Sequence, residues 1–167
     1  MKRNKLLINS LIIISLSCVT FSMLSLFYSH KNKILQNNAA AEIRTLTCSN
    51  FSQFVSNGYL KTSSGNKINF YIHGCSGNTI SLGGGFYNTT KFARIASITV
   101  NFNSPAYEHL NCYYGSNSNP KYNAGMGVGL ESGYSESINA SYIEIDNTLN
   151  FNNTDMTISS FIIKYEC

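Results

Sequence analysis

Beyond Leu46 the chain is built from short runs in which apolar and polar residues alternate, and turn-forming residues separate these runs. The run "RIASITVNF" at 94–102 places four apolar residues on one face: Ala96, Ile98, Val100 and Phe102. Because successive side chains of a strand point to opposite faces, this pattern is typical of an antiparallel sheet with one buried and one solvated face. It predicts an all-β domain of two packed antiparallel sheets.

Six runs have this character and are predicted strands: residues 67–74, 78–82, 94–102, 109–115, 141–147 and 157–167. In the fifth run Glu144 and Asp146 alternate with isoleucines, so these two acids are predicted to lie on the solvated face of their strand. Beyond residue 45 the sequence shows no helical periodicity, and no helix is predicted there.

Two glycine-rich segments, residues 83–85 and 125–129, invite comparison with phosphate-binding loops. Such loops need a helix directly after the glycines, so that backbone amides and the helix N-terminus face the anion. The first segment is followed by a polar stretch and a predicted strand, and the second has the spacing of a strand or loop. We therefore expect both clusters to form turns or loops, with the first ending one strand before the next begins.

The N-terminal residues predict export. An uncharged, mostly apolar segment covers residues 6–28, and as a helix its 23 residues would extend about 35 Å, enough to cross a bilayer core of about 30 Å. Residues 1–33 are predicted to be a signal anchor or a signal peptide, residues 34–45 a stalk or linker, and residues 46–167 the β-sandwich domain. The membrane is then a partner through its contact with the apolar segment. The domain is extracytoplasmic, or secreted if the segment is cleaved.

Four cysteines are spread through the predicted domain, as is typical of exported domains with two disulfides. We expect Cys48 to pair with Cys167 and Cys75 to pair with Cys112, because the terminal strands of a sandwich often lie side by side. Buried free thiols are the alternative. No cysteines or histidines have the C-x-x-C type of spacing found in zinc sites, so neither a metal nor a cofactor is predicted.

Charge argues against nucleic acid as a partner. Outside residues 1–33 the chain has seven Lys or Arg and eight Asp or Glu, so the domain is nearly neutral.

No catalytic residue is predicted. Glu144 and Asp146 have a separation that a glycoside hydrolase pair tolerates, but two acids that alternate along a strand more often form its solvated face. Four N-x-S/T sequons predict surface segments at Asn50, Asn88, Asn139 and Asn152.

Three segments resemble a jelly-roll module of exported proteins from low-GC bacteria: "NTISLGGGFYNTTKFARIASITVNFN", "LNCYYGSNSNP" and "SYIEIDNTLNFNNTDMTISSFIIKYEC". The resemblance covers about residues 66–167 and lies in core positions more than in site residues. The module is similar to discoidin-like and carbohydrate-binding β-sandwiches. The resemblance therefore implies a jelly-roll fold and, by analogy, a binding role, and it carries over no ligand residue.

Loop tyrosines are the candidate ligand-binding residues, because aromatic rings beside amide groups suit sugars. The four candidates are Tyr107, Tyr113, Tyr122 and Tyr134. We expect an exported, non-catalytic binding module for glycans or other surface molecules. A structural, assembly or secreted effector protein that contacts other proteins is the alternative, and an extracellular hydrolase is a more distant one.

Overall fold

A computed structural model describes residues 41–104, 107–123, 125–148 and 152–166. The predicted signal segment, residues 1–33, lies outside this part of the chain, as does most of the predicted stalk. Within the described residues, no helix has the length and apolar character that crossing a membrane requires.

The described residues form ten strands and one short helix. The strands are β1 (Ile43–Cys48), β2 (Tyr59–Lys61), β3 (Lys67–Ser76), β4 (Thr79–Asn88), β5 (Arg94–Asn103), β6 (Leu110–Gly115), β7 (Met126–Leu130), β8 (Ser135–Ala140), β9 (Tyr142–Asp146) and β10 (Met156–Glu166). The helix α1 (Phe51–Asn57) lies between β1 and β2. Every strand pair is antiparallel, which confirms the all-β prediction. Because β1 begins at Ile43, the last residues of the predicted stalk belong to a sheet.

The strands form two sheets that share one corner. The first sheet has the order β8-β5-β10-β1, and the second has the order β2-β3-β4-β9-β6-β7. They meet where Met156 and Thr157 of β10 pair with Ile80 and Thr79 of β4. Beyond this corner β10 pairs with β1 and β4 pairs with β9, so the sheets separate and enclose a core between them.

The predicted alternation of buried and exposed residues is present in β1, β3, β8, β10 and most of β5. In β10, for example, Tyr165 is buried and its neighbour Lys164 is exposed. The start of β5 differs, because Ile95 is buried and Ala96 is only half-buried. The pairing of β5 with β10 shifts register here: Ile95 pairs with Tyr165 and Ser97 with Lys164, so β5 has one residue more than its partner, which marks a β-bulge. A bulge inserts one residue into a strand and so reverses the faces on its two sides, an effect that periodicity alone does not reveal.

Five phenylalanines from both sheets and the helix form the centre of the core: Phe51, Phe54, Phe70, Phe86 and Phe161. The ring of Phe54 lies 5.1 Å from the rings of Phe70 and Phe161 and 5.2 Å from that of Phe86, all in edge-to-face geometry. Edge-to-face contacts are favoured because the positive edge of one ring meets the negative face of another. Helix α1 therefore fills the space between the two sheets.

Helix α1 is an element that periodicity missed. Its seven residues hold about two turns, too few to establish a helical pattern. The sequence does contain its caps: the Asn50 side chain accepts a hydrogen bond from the amide of Gln53 at 3.0 Å, and Gly58 ends the helix with a φ of +70°. Asn before the first turn and Gly after the last are the residues that helix ends favour.

The first glycine cluster lies inside β4 and not at a turn, contrary to the prediction. These residues stand where β4 changes its neighbour from β10 to β9, and Gly83 has a φ of +78°. A Cβ on Gly84 would lie 2.8 Å from the carbonyl carbon of Gly74, and one on Gly85 would lie 2.8 Å from the Cβ of Asp146. The glycines therefore let β4 bend and let the neighbouring backbones approach closely. In the second cluster Gly127 and Gly129 lie inside β7, which is also contrary to the prediction of a turn or loop.

The predicted disulfides are not present among the described residues, where Cys48, Cys75 and Cys112 are free thiols. Strands β4 and β9 separate Cys75 in β3 from Cys112 in β6, a distance of about 14 Å, whereas a disulfide needs about 4–7 Å between Cα atoms. The structure thus corrects that pairing. Cys167 lies outside the described residues. The predicted Cys48–Cys167 pairing therefore stays a prediction.

One sequon asparagine is buried, contrary to the surface prediction. The Nδ2 group of Asn88 donates to the carbonyl oxygens of Thr90 at 2.8 Å and Ser141 at 3.1 Å. Its Oδ1 accepts from the amide of Ile143 at 2.7 Å. Asn88 therefore links β4 to the start of β9, and the folded domain leaves no room for a glycan on it. The other three sequon asparagines are exposed.

Replacing Phe54 by Ala should lower the free energy of unfolding by about 3–5 kcal/mol, because the ring fills the space between the sheets. Urea unfolding of the full chain, followed by circular dichroism, measures this change. The exposed Ser56 of the same helix gives the control, and Ser56→Ala should change the value by less than about 0.5 kcal/mol. Equal effects of the two substitutions would contradict the central position of α1 in the core.

Replacing Gly84 by Ala should cost about 1–3 kcal/mol, because the new methyl group would press on the backbone of Gly74. Gly115→Ala is the matched control, since a Cβ there would meet its nearest neighbour at an ordinary 3.6 Å. Thermal unfolding of both variants compares the two positions. A melting temperature for Gly84→Ala as high as that of Gly115→Ala would show that β3 and β4 do not approach as closely as described.

Candidate functional site

A cleft lies at one end of the sandwich, between two connections that cross from one sheet to the other. The first connection follows β5 and leads into β6, and the second follows β7 and leads into β8. The cleft between them has a volume of about 540 Å³, within the range of small-ligand sites. The hydroxyl of Ser132 donates to the carbonyl of Phe102 at 2.6 Å and accepts from its amide at 2.8 Å, which fixes the second connection to the end of β5.

Two of the four candidate tyrosines line this cleft. Tyr107 from the first connection is 90% exposed, and Tyr134 from the second is 65% exposed. Tyr107 also has a φ of +83°, a backbone conformation that bulky residues rarely adopt. Backbone strain of this kind concentrates at ligand sites, where the surrounding structure maintains it. The structure thus brings two of the four candidates to one cleft, from segments more than twenty positions apart.

Polar side chains complete the cleft. Glu108 is buried, and its Oε1 accepts a hydrogen bond from the amide of Asn152 at 3.1 Å. Its Oε2 has no hydrogen-bond partner among the described residues. Glu131 is exposed on the opposite side. The ring of His109 covers Gly129, where a Cβ would lie 3.0 Å from the His109 Cδ2 atom.

The other two candidates, Tyr113 and Tyr122, lie elsewhere, on the outer face of the second sheet. The register places Tyr71, Tyr87, Glu144 and Tyr113 in one row across β3, β4, β9 and β6. The Nζ of Lys121 lies 5.7 Å from the centre of the Tyr113 ring and 6.0 Å from that of Tyr122. These two tyrosines therefore surround a lysine and belong to a different surface from the cleft.

Lys121 is tied to a buried carboxylate. Its Nζ lies 2.5 Å from Oδ2 of Asp146, which is fully buried. The other oxygen of Asp146 accepts a hydrogen bond from Thr148 at 2.6 Å and a longer one from Asn111 at 3.4 Å. Partial burial lowers the pKa of Lys121. The hydrogen bond to Asp146 and the nearby negative charges raise it by a larger amount, so the pKa lies above its ordinary value. The lysine is charged at neutral pH, and the pair holds the segment before β7 onto the sheet.

Glu144 is also buried, so the prediction that both acids lie on a solvated face is wrong. Burial raises the pKa of its carboxyl group above the ordinary value; the backbone amide of Lys121 opposes the rise, and the charge of Asp146 adds to it. Its Oε2 has no hydrogen-bond partner in the described part of the chain. Periodicity identified the strand face but not the segment that covers it, because that cover comes from residues between β6 and β7.

The cysteine thiols are poor candidates for chemistry. Burial raises the pKa of both Cys48 and Cys75 to about 11, although a backbone hydrogen bond opposes the rise in each case. Burial together with the charges of Glu136 and Asp146 raises the pKa of Cys112 further. These thiols stay protonated at neutral pH, and the thiolate is the nucleophilic form. Among the described residues no three His, Cys, Asp or Glu side chains are grouped as metal ligands.

Sequence reasoning found the tyrosines of the cleft but not its polar residues. Glu108, Glu131 and His109 line the cleft but were not among the predicted site residues. The one available signal was the adjacency of Glu108 and His109 to Tyr107. No family model matches this chain, and neither the curated proteins nor the solved structures include a significant match to it.

Replacing Glu144 by Gln should stabilise the domain at neutral pH. The raised pKa means that the folded state binds the proton more tightly than the unfolded state, so this contribution to stability is complete below about pH 4.5 and is lost as the pH rises through the folded-state pKa. Gln keeps an oxygen for the Lys121 amide and carries no charge. The difference in melting temperature, variant minus wild type, should therefore grow from pH 4 to pH 8.

The exposed Glu42 supplies the control for this experiment, because Glu42→Gln removes the same charge at the surface. Its difference from wild type should stay small across the same pH range. A Glu144→Gln difference that shrinks as the pH rises would show that the carboxylate is favoured in the folded state, and would contradict the assigned direction.

Proposed function

We propose that this chain is an exported or membrane-anchored jelly-roll module that binds glycans without catalysis, through the cleft between the two sheet connections. The strand order supports the jelly-roll assignment. Setting aside β2, β3 and α1, the chain gives the two four-stranded sheets β1-β10-β5-β8 and β4-β9-β6-β7. Strands of one sheet alternate with strands of the other along the chain, except at the hairpin of β6 and β7, as in a double Greek key.

The observation that carries the proposal is the pair of exposed tyrosines at the cleft. Tyr107 and Tyr134 are exposed on the two connections, and Glu108 and Glu131 line the same cleft. Sugars combine apolar C–H faces that pack on aromatic rings with hydroxyl groups that donate to carboxylates. A cleft that offers both kinds of group in one place suits a sugar better than a purely apolar ligand.

A binding role is favoured over hydrolysis for the carboxylates that the sequence put forward. Glu144 and Asp146 lie beneath Lys121 on the sheet face, and neither lines the cleft. Their burial and their separation from the cleft leave no route for a glycosidic bond to reach them. The proposed location outside the cytoplasm is supported by the apolar segment 6–28 and the basic residues that precede it.

A protein partner is the second candidate, and one observation favours it. In the described part of the chain β7 pairs only with β6, so it is an edge strand, and its Met126 is 68% exposed. Edge strands carry unpaired backbone groups that can accept a strand from another protein. This candidate predicts binding that is independent of Tyr107 and Tyr134.

Replacing Tyr107 or Tyr134 by Ala should weaken glycan binding at least about tenfold, because each substitution removes one aromatic face of the cleft. The full chain, in a detergent without a sugar headgroup, is screened on a glycan array, and the best ligand is then measured by calorimetry. Tyr71→Ala is the control, since Tyr71 is 52% exposed on β3, outside the cleft. Melting temperatures verify that all three variants are folded.

The outcomes separate the candidates. Failure of the full chain to bind any sugar would contradict the proposal and favour a protein partner. Equal losses in Tyr71→Ala and the two cleft variants would place the binding surface elsewhere. Release of new reducing ends from a bound oligosaccharide would show that the module is a hydrolase after all.

A further inference from the structure

The charged side chains that line the cleft are acidic. Its lining includes two carboxylates, Glu108 and Glu131, and among its described lining residues none is Lys or Arg. Among the described lining residues, His109 is the one whose side chain has a basic group. A surface of this composition repels ligands that carry carboxylate, sulfate or phosphate groups and attracts cations. Among sugars, the charge of the cleft therefore favours those that carry a positive charge.

Glu108 is the acidic side chain at a buried position of the cleft. The side chain is 5% exposed, its Oε1 accepts from Asn152, and its Oε2 has no partner among the residues that the structure describes. A buried carboxylate oxygen without a donor is unfavourable, because it has lost its hydration and gained nothing in exchange. A ligand that brings a donor to this wall of the cleft would remove that cost. An ammonium group brings three donors and the complementary charge.

The tyrosines suit the same kind of ligand. The exposed rings of Tyr107 and Tyr134 border the cleft that Glu108 and Glu131 line. The face of an aromatic ring attracts cations as well as the C–H groups of a sugar ring. Neutral sugars would use only the packing and the hydroxyl hydrogen bonds. A sugar with a protonated amine would add the charge-assisted bond to a carboxylate.

We infer that the cleft selects amino sugars with a free, protonated amine over neutral and anionic sugars. The ammonium group is held by Glu108 and Glu131, and the sugar ring packs on Tyr107 or Tyr134. This assignment rests on the proposed function, because it specifies the sugar that the same cleft binds.

The test compares oligosaccharides of equal length that carry positive, no or negative charge. Calorimetry on the full chain, in a detergent without a sugar headgroup, measures binding of a glucosamine pentamer, an N-acetylglucosamine pentamer and a galacturonic acid pentamer. The glucosamine pentamer should bind at least about tenfold more tightly than its N-acetylated counterpart, as expected for one charge-assisted hydrogen bond. The anionic pentamer should not bind. Added salt should weaken the glucosamine complex and leave weak binding of the neutral pentamer unchanged.

Two variants localise the effect. Glu108→Gln keeps the oxygen that accepts from Asn152 and removes the charge, and Glu131→Gln removes the charge from an exposed position where folding is not at risk. Each should reduce the preference for glucosamine over N-acetylglucosamine at least about fivefold. Glu42→Gln, which removes the same charge from an exposed position outside the cleft, should leave the preference unchanged.

Each alternative result has a distinct meaning. Equal affinity for the glucosamine and N-acetylglucosamine pentamers would overturn the selectivity and leave the glycan module intact, whereas no binding of any pentamer would contradict both. A linear polyamine that binds as tightly as the glucosamine pentamer would show that the cleft recognises charge without sugar, and would also overturn the inference. So would an equal loss of preference in Glu42→Gln, because net charge alone would then explain it.

Discussion

Two sheets that share a single corner must be held together by what lies between them, and here that is a cluster of phenylalanine rings. Phe51 and Phe54 reach the cluster from α1, and Phe70, Phe86 and Phe161 reach it from β3, β4 and β10. The corner itself consists of two residue pairs between β4 and β10. The burial of these rings, together with the aliphatic side chains of the same cluster, therefore provides the main attraction between the sheets. The short helix is part of this core.

The second sheet is buried on both faces along β9, and the two faces are stabilised by different physical effects. Ile143 and Ile145 face the apolar core, while Glu144 and Asp146 face the opposite side. Asp146 is compensated by Lys121, Thr148 and Asn111, whereas one oxygen of Glu144 is left without a partner among the described residues. A buried ion pair with several hydrogen bonds offsets much of its desolvation cost, and a lone buried carboxyl does not, which is why burial shifts the pKa of Glu144 upward.

The cleft is built from two connections that hydrogen bonds hold in place. Ser132 anchors one connection to the end of β5, and Glu108 is buried within the β5–β6 connection, where the amide of Asn152 donates to it. Exposed tyrosines project from this frame into solvent. Binding residues on loops that a β-scaffold positions are a common arrangement, because loop residues are free of the packing constraints of the core. Here the arrangement also places two acids and two aromatic rings around one opening.

The sequence by itself determined the fold class, most of the core faces and two of the tyrosines at the cleft. Alternation such as that of β10 is a local property, set by the two-residue period of an extended chain, so neighbouring residues suffice to read it. The helix caps Asn50 and Gly58 were equally local, although the helix was too short for its period to be read. Only the tertiary structure decided which glycines bend a strand and that Asn88 and Glu144 are buried. It also decided that two strands, β4 and β9, lie between the strands of Cys75 and Cys112. Each of these depends on contacts between residues distant in the chain, and no local pattern specifies which strand becomes the neighbour of another.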